Sequence, residues 1–309
     1  MASKRHIARD ISYSYAGRTK GGRALIRTLE NMTGRIRMIK RASGYERDVE
    51  NGADFWQVMV ERYGLSLDVI GGSLENIPAE GPLILIANHP YGILDGLMMG
   101  HILSERRDRD FRILAHRVFR KSEDLNKVVL PISFDEDRAA VKLNLQTRKE
   151  AEQYLKAGGA VGIFPGGTVS TSARPFSNPM DPHWRNFTAR MIAKSGATVV
   201  PVFFDGNTSR LFQIASHMHY TLRMGLLIKE FAKRVDTPVK VVVGEPIKAE
   251  EIRARAGDSK ELMDFLRKST YDLSPRPIET REYGFEFEDK HKAEFLARQK
   301  AFKETRQSR

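Results

Sequence analysis

His89 and Asp95 stand six residues apart, an imidazole and a carboxylate of the kinds that move and hold protons. On one continuous helix that separation would rotate the side chains by about 600°, leaving them roughly 120° apart around the axis. They can meet only across a turn, which Pro90 and Gly92 between them can supply. His89 would then project from the end of the apolar run Leu83–Ala87, while Asp95 reaches back from the first turn of a following helix. The carboxylate would hold one ring nitrogen and leave the other to take a proton. A histidine and an aspartate at this spacing can equally serve packing, so the pair alone does not decide between the two.

A second apolar run, 160–164, leads into Pro165, Gly166, Gly167, Thr168, Val169 and Ser170. Glycines and hydroxyls directly after a strand let the main chain aim N–H groups at an anion. Together the segments resemble the glycerolipid (lysophospholipid) O-acyltransferase family. Asn88-His89 followed by Asp95 is similar to that family's first motif. Phe164 to Thr168 is similar to its Phe-Pro-Glu-Gly-Thr motif, and Val200-Pro201-Val202 to its later Val-Pro strand. The chain departs in two places: it has His-x5-Asp rather than His-x4-Asp, and it carries Gly166 and Val169 where the family has Glu and Arg. The form Asn-His-Pro-aromatic-Gly-x-x-Asp-Gly, with Phe204 to Asn207 and Leu222-Arg223, is more similar to the hemolysin-related branch. The second motif has a loose counterpart in 129–138, which ends at Arg138.

The resemblance implies an acyl transfer with His89 as general base and Asp95 as its partner. It implies substrate-binding roles for Asn88, Gly92, Arg138, Phe164, Pro165, Gly166, Gly167, Thr168 and Ser170, with Arg174 and Arg223 as weaker candidates. The acceptor would be the hydroxyl of a lysolipid, and the donor an acyl thioester carried by CoA or by an acyl carrier protein. No bound cofactor and no metal are expected. A lipid hydrolase or transacylase, or a non-catalytic lipid-surface protein of the same fold, are the alternatives. The chain has no cysteine, no Gly-x-Ser-x-Gly elbow, no Walker loop and no His-Glu-x-x-His motif. Direct attack without a protein nucleophile agrees with that inventory.

The elements that must position these residues follow an α/β rhythm. Apolar runs at Leu83–Ala87, 112–115, 128–134, 160–164, Thr198–Phe204 and 239–243 alternate with charged stretches of helical period such as 139–156 and 260–268. The expected fold is a mixed, largely parallel sheet flanked by helices. Pro175, Pro179 and Pro182 make 173–182 an irregular loop, expected beside the active site. Three regions are expected: a basic helical region 1–44, an acyltransferase domain 45–275 and a charged helical tail 276–309.

In the first region Leu25, Leu29, Met32, Ile36 and Ile39 recur every three or four residues among Arg23, Arg27, Arg35, Arg37, Lys40 and Arg41. That spacing predicts an amphipathic basic helix, suited to packing on the domain, to a membrane surface, or to both. The formal net charge of +12 favours an acidic partner such as anionic headgroups or a carrier protein. Nucleic acid would fit the charge, but no recognition motif accompanies it, and none is expected to bind. No secretory leader and no spanning segment is read from the pattern, so a peripheral place on the cytoplasmic side of a membrane is expected. Nothing in the pattern bears on oligomeric state. His101, His116, His217 and His219 read as structural, and Trp184 and Phe187 as anchors of a helix.

Overall fold

Leu83–Ala87 is apolar at all five positions and buried at all five, as a strand must be when both faces of its sheet are covered. In the computed structural model, which describes residues 12–17, 19–120, 123–133, 135 and 137–287, this strand lies at the centre of a seven-stranded sheet. The strands are β1 (Ser66–Gly72), β2 (Leu83–Ala87), β3 (Arg112–His116), β4 (Val129–Ile132), β5 (Ala160–Ile163), β8 (Thr198–Phe204) and β9 (Pro238–Val243), in the order β1-β9-β8-β2-β5-β3-β4. Thr171–Ser172 and Pro179–Met180 form a separate antiparallel ribbon, β6 and β7. Every pairing in the main sheet is parallel except β8 with β9. The fold is therefore mixed α/β and largely parallel, as the apolar rhythm implies.

The helices are α1 (Lys20–Glu30), α2 (Ile36–Ala42), α3 (Tyr45–Glu50), α4 (Phe55–Arg62), α5 (Ile93–Arg106), α6 (Glu123–Val128), α7 (Arg138–Lys156), α8 (Ala189–Ser195), α9 (Arg210–Met218), α10 (Tyr220–Ala232), α11 (Ala249–Ala254) and α12 (Ser259–Tyr271). Alternation along β2 divides the core between the two sheet faces. Leu83, Leu85 and Ala87 pack with Leu94, Met98 and Ile102 of α5, whereas Ile84 and Ile86 pack with Leu155, Ile192 and Leu266 of the helices opposite. Each of these leucine, isoleucine and methionine side chains contributes on the order of 2 kcal/mol by leaving water. The central strand, and the loop that continues it, is thereby held from above and below.

Three expectations need correction, and one strand left no apolar run to read. The half-exposed edge strand β1 carries Asp68, Gly71 and Gly72 and showed no apolar run. The run 128–134 begins in the last turn of α6, and only 129–132 is strand; Phe134 lies outside the described residues. The N-terminal helix is broken, because Gly34 adopts φ +146 and its missing Cβ would stand 2.6 Å from Ala232 Cβ. The chain buries Ile26 before that kink and Met38 and Ala42 after it, while Leu25, Met32 and Ile36 of the expected stripe stay exposed. Finally, 276–287 is not helical and runs irregularly against the domain; 288–309, the rest of the expected tail, lies outside the described residues.

Candidate active site

The C-terminal end of β2 continues into Asn88, whose side chain is fully engaged across the sheet. Its Oδ1 accepts from Phe204 N at 2.7 Å and its Nδ2 donates to Phe204 O at 3.0 Å. Asn88 thus fastens β2 to the end of β8. Past this fixed point the chain turns at Gly92, with φ +81, and enters α5. A Cβ there would stand 3.0 Å from Tyr13 Oη and 3.1 Å from Val169 Cγ2, so a side chain would crowd both on a backbone whose φ already favours glycine.

Asp95 lies in the first turn of α5, completely buried, and its Oδ2 accepts from Tyr91 N at 2.7 Å and Gly92 N at 3.0 Å. The same oxygen stands 3.0 Å from His89 Nδ1, a close contact rather than a well-aligned hydrogen bond, and Oδ1 has no partner. Burial pushes the Asp95 carboxyl above its ordinary range, against the opposing pull of His89 and of the two N–H groups. The geometry across the Pro90–Gly92 turn is the one the spacing requires. With Nδ1 facing the carboxylate, Nε2 of His89 has no partner among the described residues. The imidazole, whose side chain is 18% exposed, is backed by Phe164, ring centroids 4.3 Å apart.

Phe164 begins the loop after β5. Pro165 is buried and its carbonyl accepts from Arg185 N, and Gly167 (φ +67) donates its N–H back to Phe164 O at 3.0 Å, closing a tight turn. This leaves the N–H groups of Gly166, Thr168 and Val169 without a partner among the described residues, whereas Ser170 N donates to His89 O at 2.8 Å. Ser170 Oγ, expected to bind substrate, donates instead to buried Asp181 Oδ1 at 2.5 Å.

Asp181 was not singled out in the sequence. It is fully buried, accepts from Trp184 Nε1 at 2.9 Å through Oδ2 and from His89 N at 3.2 Å through Oδ1, and packs where a side chain on Gly166 would go. The carboxylate missing from position 166 therefore has a counterpart arriving from the loop 173–182. The segment 281–287 closes this wall from outside. Gly284 N donates to Asp181 O, Phe285 N to Thr171 O, and Glu286, buried, pairs with Arg185 through two bonds of 2.9 and 3.0 Å.

Arg138 takes no part in this cluster. It opens α7 beyond β4, at the sheet edge three strands from β2, or about 14 Å at ordinary strand spacing, and is exposed. Arg223 is brought to the loop: from α10 it donates to Thr168 Oγ1 at 3.1 Å and Val169 O at 2.9 Å. Tyr13 reaches the site from the N-terminal side, its hydroxyl accepting from Ile93 N at 3.3 Å while Glu30 holds its N–H at 2.6 Å. His217 and His219 have structural partners, Ser172 O and Thr221 N.

A family model described as acyltransferase matches residues 48–276. Two curated relatives are lyso-glycine lipid O-acyltransferases. The one from Phocaeicola vulgatus is 24% identical over 205 residues, covering 63% of this chain and 69% of the relative. The other, from Bacteroides thetaiotaomicron, is 25% identical over 205 residues, covering 63% and 71%. Among solved structures, the crystal structure of the 1-acyl-sn-glycerophosphate acyltransferase PlsC from Thermotoga maritima covers 88% of this chain and 97% of that one, at 18% identity and a TM-score of 0.43.

Proposed function

Since the chain belongs to the acyltransferase family, we propose that it moves a fatty acyl group from a thioester to the hydroxyl of a lysolipid, with His89 as general base. The observation that carries this reading is the His89 imidazole, set between Asp95 at 3.0 Å and Phe164 at 4.3 Å, beside a loop with unpartnered N–H groups. Nε2 takes the proton of the acceptor hydroxyl as its oxygen bonds to the thioester carbonyl carbon, and the carbonyl electron pair moves onto oxygen. N–H groups of Gly166, Thr168 and Val169 are suited to that oxyanion. Collapse breaks the carbon–sulfur bond, and the thiolate leaves with the proton held by the imidazolium. Asp95 balances the imidazolium while it exists.

The relatives, named for a lyso-glycine lipid, support a lysolipid as acceptor. The donor is acyl-CoA or an acyl carrier protein, the latter an acidic protein suited to a chain of net charge +12. We place the reaction at the cytoplasmic surface of an anionic membrane, with the protein peripheral. Among the described residues no helix is long and apolar enough to cross a bilayer. Met32 is 79% exposed, Leu25 and Ile36 are exposed beside it in sequence, and Leu211, Ile214 and Met218 form a second exposed apolar face on α9. No acidic residue occurs between Asp205 and Glu230, the stretch that contains α9.

The test is thiol release by the purified protein from acyl-CoA and from acyl carrier protein, with and without a panel of lysolipids, the products identified by mass. Release that requires a lysolipid and yields its acylated form is the expected outcome. Release at the same rate into water would overturn the transferase reading in favour of a hydrolase.

A further inference from the structure

Arg223 is a wholly buried cation with no carboxylate beside it among the described residues. Its Nη1 donates to Thr171 Oγ1 at 2.6 Å and Ser216 Oγ at 3.1 Å, and its Nη2 to Thr168 Oγ1 at 3.1 Å and Val169 O at 2.9 Å. Phe212 and Phe287 lie against the guanidinium, at 5.0 and 4.2 Å. Neutral oxygens and rings solvate a charge only in part, and an apolar side chain of that size would fill the space with less desolvation. Burial lowers its pKa to about 10, which leaves the guanidinium charged at neutral pH.

The two threonines it touches differ in one respect. Thr171 Oγ1 accepts from Arg223 and passes its own hydrogen to Val169 O at 2.9 Å. Thr168 Oγ1 accepts from Arg223, lies in a partly exposed residue and has no acceptor for its hydrogen among the described residues, and the Thr168 N–H is unpartnered as well. A hydroxyl that accepts from a cation is polarised into a stronger donor, and the bond fixes which way its hydrogen can point. The same loop is tied to the proposed base two residues later, where Ser170 N meets His89 O.

We propose that Arg223 is a positioning residue for acyl transfer: it orients and polarises the Thr168 hydroxyl, which donates, with the Thr168 N–H, to the oxyanion of the tetrahedral intermediate. This rests on the acyl-transfer reading above. The positive charge absent at Val169 is thus delivered to the loop from α10, through a hydroxyl rather than by direct contact.

The experiment is steady-state kinetics of Thr168→Val, Thr168→Ser, Arg223→Gln and the double variant Thr168→Val/Arg223→Gln, with melting curves in parallel. His89→Ala is run alongside and reads the proposed base separately, so that failure of the base and failure of the donor give different patterns. Thr168→Val is expected to lower kcat by about 10²-fold with KM for either substrate within a few-fold, and Thr168→Ser to regain most of it. Arg223→Gln is expected to lower kcat by about 10-fold or more alone, but by less than about 3-fold when Val already replaces Thr168, because the two act as one unit. A kcat for Thr168→Val within about 3-fold of wild type would overturn the proposal. So would an Arg223→Gln loss of the same factor in both backgrounds, which is the signature of a brace that only holds the loop. If Arg223→Gln does not fold, the valine and serine variants decide: equal loss in both would overturn the role of the hydroxyl.

Discussion

Asp181 holds His89 by its backbone while Asp95 faces its ring, so two buried carboxylates fix one histidine at two levels. Oδ1 of Asp181 accepts from His89 N at 3.2 Å and from Ser170 Oγ at 2.5 Å, and Oδ2 from Trp184 Nε1 at 2.9 Å. Position and orientation of the imidazole are therefore set by separate groups, and their substitutions should have separate consequences.

Asp181→Asn keeps one oxygen but turns an amide NH₂ toward either Trp184 Nε1–H or the His89 and Ser170 donors. A buried donor facing a donor costs about 1–3 kcal/mol. The expected result is a clearly lowered melting temperature together with reduced turnover; calorimetry and a transfer assay on the same preparation check it.

Asp95→Asn should behave in the opposite way on stability. One amide oxygen can still accept from Tyr91 N and Gly92 N, so the start of α5 stays capped, while a fully buried charge is removed. Melting at neutral pH is expected to be unchanged or higher, with turnover lowered because an amide cannot balance an imidazolium. His89→Ala is expected to lose about 10²–10⁴ in rate and to change stability by about 1 kcal/mol or less.

The raised Asp95 pKa gives a pH test. A carboxyl that binds its proton more tightly folded than unfolded stabilises the fold fully below the unfolded carboxyl range, and loses that contribution as pH rises through its folded value. The melting-temperature advantage of Asp95→Asn over the wild type should therefore be greatest at neutral pH and narrow as pH falls through the folded Asp95 value. Wild-type turnover should fall over the same window, as the Asp95 carboxyl takes up its proton and can no longer balance an imidazolium. Paired melts and rates across the acid range measure both, and a constant difference between the proteins would contradict the assignment.

For the membrane seat, wild-type protein should sediment with anionic vesicles and less so as salt rises. Leu211→Asp/Met218→Asp should weaken sedimentation while leaving the melt unchanged, since both side chains are already exposed. Leu25→Asp/Met32→Asp/Ile36→Asp tests the N-terminal contribution in the same way, since these three side chains are exposed; weaker sedimentation is expected. Equal binding to neutral and anionic vesicles at every salt concentration would count against the seat.

Much of this arrangement was legible because it rests on local pattern. Six of the seven main strands announce themselves as apolar runs, and the His89–Asp95 meeting follows from a helix geometry that forbids it without a turn. What escaped depends on partners distant in sequence. Asn88 looks like a ligand until Phe204 occupies both ends of its amide, and Asp181 is one acid in a proline-rich loop until the fold brings Ser170, Trp184 and the His89 backbone to it. Gly166 looks like a lost function, but a side chain there would meet Asp181. The edge strand β1 hid because half its surface faces water, and the kink at Gly34 because the exposed and buried faces of the two N-terminal helices do not continue one another.

The pairing of Glu286 with Arg185, and of Gly284 with the Asp181 carbonyl, also fixes an order of birth. A ribosome makes His89, Asp95 and the loop 164–170 well before the segment that closes their wall. Until Glu286 has emerged, Arg185 lacks its two bonds to that carboxylate and the backbone beside Asp181 and Thr171 lacks its outer neighbours. A nascent chain therefore carries the chemical groups before it carries the finished site, and the competent enzyme forms only once 281–287 has been made.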